Sequence, residues 1–146
     1  METFVVAPAG FLLAVLWFDM MFDVQVRPAE IPPGALRSIS TYYRRVTTDA
    51  RPMNFAVSTA MLATVVAIVV EIMTYDPAWI GWISLPLALG PMALAVARTV
   101  PSAVRLGTRS DPESEQLPIA RRVLSDHIIC FVCIATVIAI QLVAAA

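Results

Sequence analysis

The chain has 146 residues, of which 59% are hydrophobic and only 14% are charged, and its formal net charge at pH 7 is -1. Soluble domains carry about 25% charged residues, so this composition excludes an ordinary soluble domain and favours an integral membrane protein. The net charge by itself says nothing about nucleic-acid binding, and we expect no nucleic-acid partner. The start of the chain lacks the basic region of a secretory signal, so we expect the first apolar segment to be retained.

Four apolar segments follow one another along the chain, each close to the roughly 20 residues that a helix needs to cross a bilayer. The predicted spans cover residues 4–22, 53–73, 78–98 and 123–145, with polar connections at residues 24–52 and 99–122. The predicted fold class is therefore all-α: an integral membrane four-helix bundle that forms a single transmembrane domain.

The first span ends with two acids, Asp19 and Asp23, four residues apart. On a helix this spacing puts both carboxylates on one face. Because a carboxylate inside a membrane span is costly, such a residue is by default a candidate functional residue.

The first connection contains a break rich in proline and then a predicted helix at residues 35–48. Its apolar residues recur at helical spacing, with arginines elsewhere on the wheel, so the helix is amphipathic. Two interpretations stay open: a cytoplasmic helix on the membrane surface with its arginines at lipid headgroups, or a short helix that caps the bundle. The arginines assigned to the headgroups are Arg37, Arg44 and Arg45.

The second span carries alanines at helical spacing, at positions 56, 60, 63 and 67, which favour close packing against another helix. Glu71 lies about one turn from its far end, where a structural or interfacial role is expected. The third span contains Pro86, Gly90 and Pro91, which predict a kink. That kink is either an ordinary feature of packing or a gate or binding notch.

The arginines predict the orientation in the membrane. Five lie between spans one and two, five lie from Arg98 to Arg122, and the chain has no lysine. By the positive-inside rule both connections are cytoplasmic. Both termini and the turn at residues 75–78 then lie outside, in a multi-pass protein of a bacterial-type inner (plasma) membrane.

This orientation brings Asp19, Asp23, Asp126 and His127 to the inner ends of spans one and four, where they could converge. Three interpretations stay open: ion pairs with arginines such as Arg98, proton or cation handling, or a metal or redox centre, since carboxylate, imidazole and thiolate ligands suit zinc, iron or copper. The sequence names no cofactor, and the metal is unknown.

Cys130 and Cys133 form a CxxC pair inside the fourth span, on the same helical face as Asp126. A four-span bundle with such a pair distantly resembles the quinone-coupled thiol enzymes of the vitamin K epoxide reductase and DsbB type. The resemblance covers these four residues and the span count, and it implies dithiol–disulfide cycling with a quinone. The chain has no second cysteine pair, and its CxxC lies toward the cytoplasm. Cysteine as a small apolar membrane residue is the alternative.

The sequence is consistent with three functions. The first is a small bundle that acts through helix–helix contacts with lipid-embedded partners, as a homo-oligomer or as an accessory subunit of a membrane complex. The second is a carrier or channel for protons, cations or a small amphiphile, which predicts a water-reachable cavity at Asp19. The third is a membrane oxidoreductase that uses a metal or the two thiols. The sequence shows no complete set of catalytic residues, so whether the protein is an enzyme stays open.

Overall fold

The computed structural model describes residues 3–49, 51–76 and 78–145, and within these ranges the chain is helical and has no strand. In the described residues the α-helices are α1 (Thr3–Asp23), α2 (Ala35–Arg44), α3 (Arg51–Thr74), α4 (Trp79–Leu94), α5 (Val100–Thr108) and α6 (Glu113–Ala145), with a 3-10 turn at Val24–Val26 and π-helical turns at Arg45–Asp49 and Ala95–Thr99. Of the predicted turn at residues 75–78, residue 77 lies outside the described residues. Four helical stretches are long and apolar enough to cross a membrane.

The third stretch is longer than the predicted span. The wide π-helical turn Ala95–Thr99 joins α4 to α5 without a break, so one helical rod runs from Trp79 to Thr108. Pro86 and Pro91 lie inside α4, which continues past both of them. Pro86 and Gly90 are exposed on the outside of the bundle, whereas Pro91 is buried.

The fourth stretch is also longer than predicted, because α6 begins at Glu113 inside what the sequence presents as a polar connection. Pro112 immediately precedes this helix, and Glu113 and Glu115 lie in its first turn, where acids favour the positive end of the helix dipole. Its 33 residues span about 50 Å, well beyond a hydrocarbon core of about 30 Å. The N-terminal turns of α6 therefore extend past the predicted span.

The bundle has two apolar cores within the predicted spans. One joins Val5, Ile68, Ala88 and Val137 of α1, α3, α4 and α6. The other joins α1, α3 and α6 around Ala9, Leu12, Ala60 and Ile134. The alanine stripe of α3 is thus partly used inside the chain, since Ala60 is buried against α1 while Ala63 is exposed.

A third core lies at the arginine-rich end, where α2 packs against α5 and the first turns of α6. We call this region the cap. Its buried residues are Val26, Ile39, Tyr43, Ala103, Leu106, Ile119, Ala120, Val123 and Leu124. Arg121 ties the two connections together, because its Nε donates to the Val26 carbonyl at 3.1 Å and its Nη2 to the Pro28 carbonyl at 3.0 Å. The two arginine-rich connections therefore lie at the same end of the bundle.

Two backbone features position α2 within the cap. Gly34 precedes α2 with a φ of 83°, a left-handed conformation that favours glycine. Gly107 of α5 faces the backbone of α2 so closely that an added Cβ would lie 2.7 Å from the Arg44 nitrogen. Arg109 ends α5 and donates through Nε to the Ser40 hydroxyl at 2.8 Å. These contacts hold α2 beside the C-terminal end of α1 and the N-terminal half of α6.

Candidate functional site

A polar centre is buried where α1, α2 and α6 meet below the cap. The Nδ1 of His127 lies 2.6 Å from Oδ2 of Asp23, and its Nε2 lies 3.8 Å from Oδ2 of Asp19. Asp19 and Asp23 lie one helical turn apart on α1, so both carboxylates face the same imidazole. The Asp23 side chain is fully buried, His127 is 8% exposed, and Asp19 is 16% exposed. Asp19 is thus the member of the centre nearest to the surface.

Two tyrosines of α2 complete this centre, although no hydrogen-bonding role was predicted for them. The hydroxyl of Tyr43 donates to Asp23 Oδ1 at 2.6 Å, and that of Tyr42 donates to Asp19 Oδ1 at 2.6 Å. Tyr42 also stacks on Phe22, with ring centroids 4.0 Å apart. Burial, followed by the nearby Asp19 charge, raises the pKa of Tyr42 above its usual range, and burial beside Asp23 does the same for the pKa of Tyr43. Both hydroxyls therefore stay protonated and can donate.

Asp126 lies next to His127 on α6 but belongs to a different set of contacts. Its carboxylate forms a two-point ion pair with Arg98, with Nε donating to Oδ2 at 3.0 Å and Nη2 donating to Oδ1. The Thr99 hydroxyl donates to the same carboxylate at 3.1 Å. Arg98 and Thr99 both come from the π-helical turn between α4 and α5. Of the four groups predicted to converge, three meet at one centre and Asp126 is paired separately.

The described residues contain no group of three or more His, Cys, Asp or Glu side chains that could hold a metal ion. We call the polar centre formed by Asp19, Asp23, Tyr42, Tyr43 and His127 the His127 centre. In it each carboxylate already accepts a hydrogen bond from a tyrosine hydroxyl, and Asp23 also contacts the imidazole directly. The arrangement is that of a hydrogen-bonded network. The metal hypothesis stays a prediction.

The two cysteines are both free thiols on α6. Cys130 is buried and its thiol donates to the Pro91 carbonyl at 3.8 Å, whereas Cys133 is half-buried. The predicted gate and the predicted thiol pair thus meet at one contact, between Cys130 and Pro91. Their proposed redox and gating roles stay predictions.

A second polar set lies at the other end of the bundle. Gln141 of α6 donates through Nε2 to Glu71 Oε2 at 2.8 Å and to the Ser84 hydroxyl at 3.3 Å. Sequence reasoning noted Glu71 but missed its partners, although a glutamine within a long apolar run is the kind of signal that could have identified them. A cavity of about 940 Å³ adjoins this set. A smaller cavity of about 570 Å³ adjoins Trp79, and neither cavity is lined by Asp19.

Arg37, Arg44 and Arg45 all lie exposed on the cap. In none of the three does a described side-chain hydrogen bond or ion pair fix the guanidinium. Their charges therefore face outward from the arginine-rich end, as a headgroup-binding role requires.

Comparison with known proteins gives no identification. No family model matches the chain, and no curated protein or solved structure is significantly similar to it.

Proposed function

We propose that the chain is a multi-pass membrane protein that binds and releases protons at the His127 centre, and that it acts as a carrier or channel for protons or for a solute moved with them. The observation that supports this most directly is one buried imidazole held between two carboxylates. Among the described side chains no arginine pairs with either Asp19 or Asp23. The centre therefore has more acids than bases.

The charge of such a centre depends on how many protons it holds. Two ionised carboxylates and a neutral imidazole carry two negative charges, and each bound proton removes one of them. In an environment of low dielectric constant, charge changes of this kind alter the interactions of every neighbouring group. Neither of the two cavities reaches Asp19, so the predicted cavity is not among them, and the proposal relies on the 16% exposure of the Asp19 side chain as the route for protons. The tyrosine hydroxyls donate to both carboxylates and hold them in place.

The proposed orientation puts the cap in the cytoplasm and both termini outside, in a bacterial-type plasma membrane. Its support is the clustering of the arginines at one end of the bundle, where Arg37, Arg44 and Arg45 would meet anionic headgroups. We expect a membrane-impermeant maleimide to label Asp76→Cys in intact cells and Glu30→Cys only after lysis, with both native cysteines replaced by alanine. Labelling of both positions in intact cells, or of Glu30→Cys alone, would contradict the orientation.

Proton binding can be followed at a single residue, because the chain has one histidine. We expect nitrogen NMR of the ¹⁵N-histidine-labelled protein in lipid bilayers to show a reversible titration of His127 between about pH 5 and 8. Asp23→Asn should displace the titration midpoint, whereas Glu30→Gln, the same chemical change at an exposed site, should leave it in place. A His127 signal that stays constant across this range would contradict proton binding and would show that His127 has a structural role only.

Proton movement is tested in sealed vesicles that hold a pH-sensitive dye. Under an imposed pH gradient, we expect His127→Gln to lower the protein-dependent proton flux about 100-fold, the scale of a lost proton-transfer group. Glu30→Gln again serves as the control. Wild-type vesicles no more permeable to protons than protein-free vesicles would contradict proton conduction.

A second candidate is assembly through helix contacts, as a homo-oligomer or as an accessory subunit. A small-residue face on α4 favours it: Pro86, Gly90 and Ala93 share one exposed side, and a Cβ added at Gly90 would meet no heavy atom within 4 Å. We expect Gly90→Leu to abolish any higher-mass species seen in mild detergent. An unchanged mass distribution would exclude this face as the contact.

A further inference from the structure

The cavity of about 940 Å³ at the end opposite the cap lies between α1, α3, α4 and α6. Its volume falls within the range of sites that bind small molecules, about 300–1,000 Å³. Most of its walls are apolar, with Val5 and Pro8 from α1, Ala67 from α3 and Ile80 from α4. Such walls suit a hydrocarbon chain.

The cavity opens toward the outside of the bundle. Phe4, Val66 and Val70 line it, and all three are also exposed on the outer surface. A molecule dissolved in the surrounding lipid could therefore enter from the side, without passing through water.

The polar lining of the cavity has one sign of charge. Glu71 and Asp76 contribute carboxylates, and no basic side chain is among the described residues that line it. Neither acid forms an ion pair with a described cation. Gln141, which is 1% exposed, holds the Glu71 carboxylate in place through its bond to Oε2.

From this geometry we propose that the cavity binds an amphiphile with an ammonium head and a single hydrocarbon tail. The head would lie at Glu71 and Asp76, where it would supply the missing positive charge and form charge-assisted hydrogen bonds to carboxylate oxygens. The tail would lie along the apolar walls between α1 and α3. An anionic amphiphile would meet two like charges, and a neutral one would leave both carboxylates without a cation partner. The proposal does not depend on proton binding at His127.

The test compares three ligands that differ only in the head group: radiolabelled dodecylamine, dodecanol and laurate. Each is added to the full chain in nanodiscs of phosphatidylcholine, with binding to empty nanodiscs subtracted. We expect saturable binding of the amine with a Kd at least tenfold lower than that of either other ligand, a difference of about 1.4 kcal/mol. Equal binding of the amine and the acid would overturn the proposal and leave a lipid-filled gap.

Three variants locate the site on the protein. Glu71→Gln should weaken amine binding about tenfold or more, and Ala63→Phe should block it by filling the cavity from its exposed side. Glu30→Gln makes the same change of charge at the cap end and should bind the amine as the wild type does. Amine binding unchanged in both cavity variants would overturn the proposal, and the ligand comparison in the wild type decides the question even where a variant fails to fold.

Discussion

Asp23 and Asp126 are both fully buried aspartates at the same end of the bundle, yet their partners differ in kind. Asp126 pairs with Arg98, a group that stays charged at any physiological pH, and accepts a further bond from Thr99. Asp23 is held by the Tyr43 hydroxyl, which stays protonated, and by His127, whose imidazole can gain or lose a proton near neutral pH. The partner decides the behaviour: an arginine fixes the charge of a buried carboxylate, whereas a histidine makes the charge of the pair depend on pH.

This difference also separates two adjacent residues of α6. Asp126 faces α4 and α5, and His127 faces α1 and α2, because neighbouring positions on a helix point about 100° apart. Asp126 therefore anchors the rod of α4 and α5, while His127 connects α1 and α2. The same turn of α6 supports a static contact on one side and a titratable contact on the other.

The largest expected effect comes from neutralising Asp126. Asp126→Asn should lower the free energy of unfolding by about 1.5–3 kcal/mol, the usual contribution of hydrogen bonds to a charged group, while His127 still titrates reversibly. Thermal unfolding in detergent, followed by circular dichroism, measures the first result, and NMR of the labelled histidine measures the second. If Asp126→Asn were as stable as the wild type but lost the histidine titration, Asp126 would control the titration of His127 and would not be needed for stability.

A smaller effect is expected from the tyrosines that join α2 to the centre. Their pKa values are raised by burial, so the folded state keeps both phenols protonated at a pH where the unfolded chain would ionise them. This contribution to stability is intact below about pH 10, the usual pKa of tyrosine, and is lost as the pH rises further. We expect the amides of residues 35–49 to lose protection above about pH 10 in the wild type, where protection is the exchange rate compared with the base-catalysed rate of an unstructured chain at the same pH.

The matched variant for this test removes both hydroxyls and keeps both rings. In the double variant Tyr42→Phe and Tyr43→Phe, the protection of the same amides against exchange should already be low at pH 8 and should change less with pH. An identical pH dependence in the wild type and the double variant would show that the tyrosine bonds do not hold α2.

The smallest effect is expected at an exposed ion pair. The Arg105 guanidinium contacts Asp111 at 2.5 Å and lowers the pKa of that carboxyl, so the pair persists until the pH falls below the usual range of aspartate. Since water and salt screen such a pair, Asp111→Asn should leave the melting temperature unchanged within experimental error at pH 7. A clear drop would mean that the loop at residues 109–112 supports the cap more strongly than its exposure indicates.

Much of the helical architecture follows from the sequence, because an apolar segment of about 20 residues can satisfy all its backbone hydrogen bonds in a bilayer by forming a helix. The start of α6 did not follow, since Asp111 to Glu115 has the composition of a loop while its proline and acids also suit a helix start. The juxtaposition of Asp23 and His127 depended on two helices that meet across the fold, which orientation alone only suggested. The tyrosine bonds and the Gln141 contact were missed because they depend on which polar atoms of neighbouring helices come within hydrogen-bond distance, and the hydrophobic pattern of a single helix does not specify its partners.

The length of α6 links the two ends of the molecule. His127 and Gln141 lie about four turns apart on one uninterrupted helix, so the directions of their side chains differ by only about 40°. A single residue inserted between them would rotate one site by about 100° against the other, and no local adjustment of a loop could absorb the change. The relative orientation of the two polar sites is therefore set by the number of residues that separate them on α6.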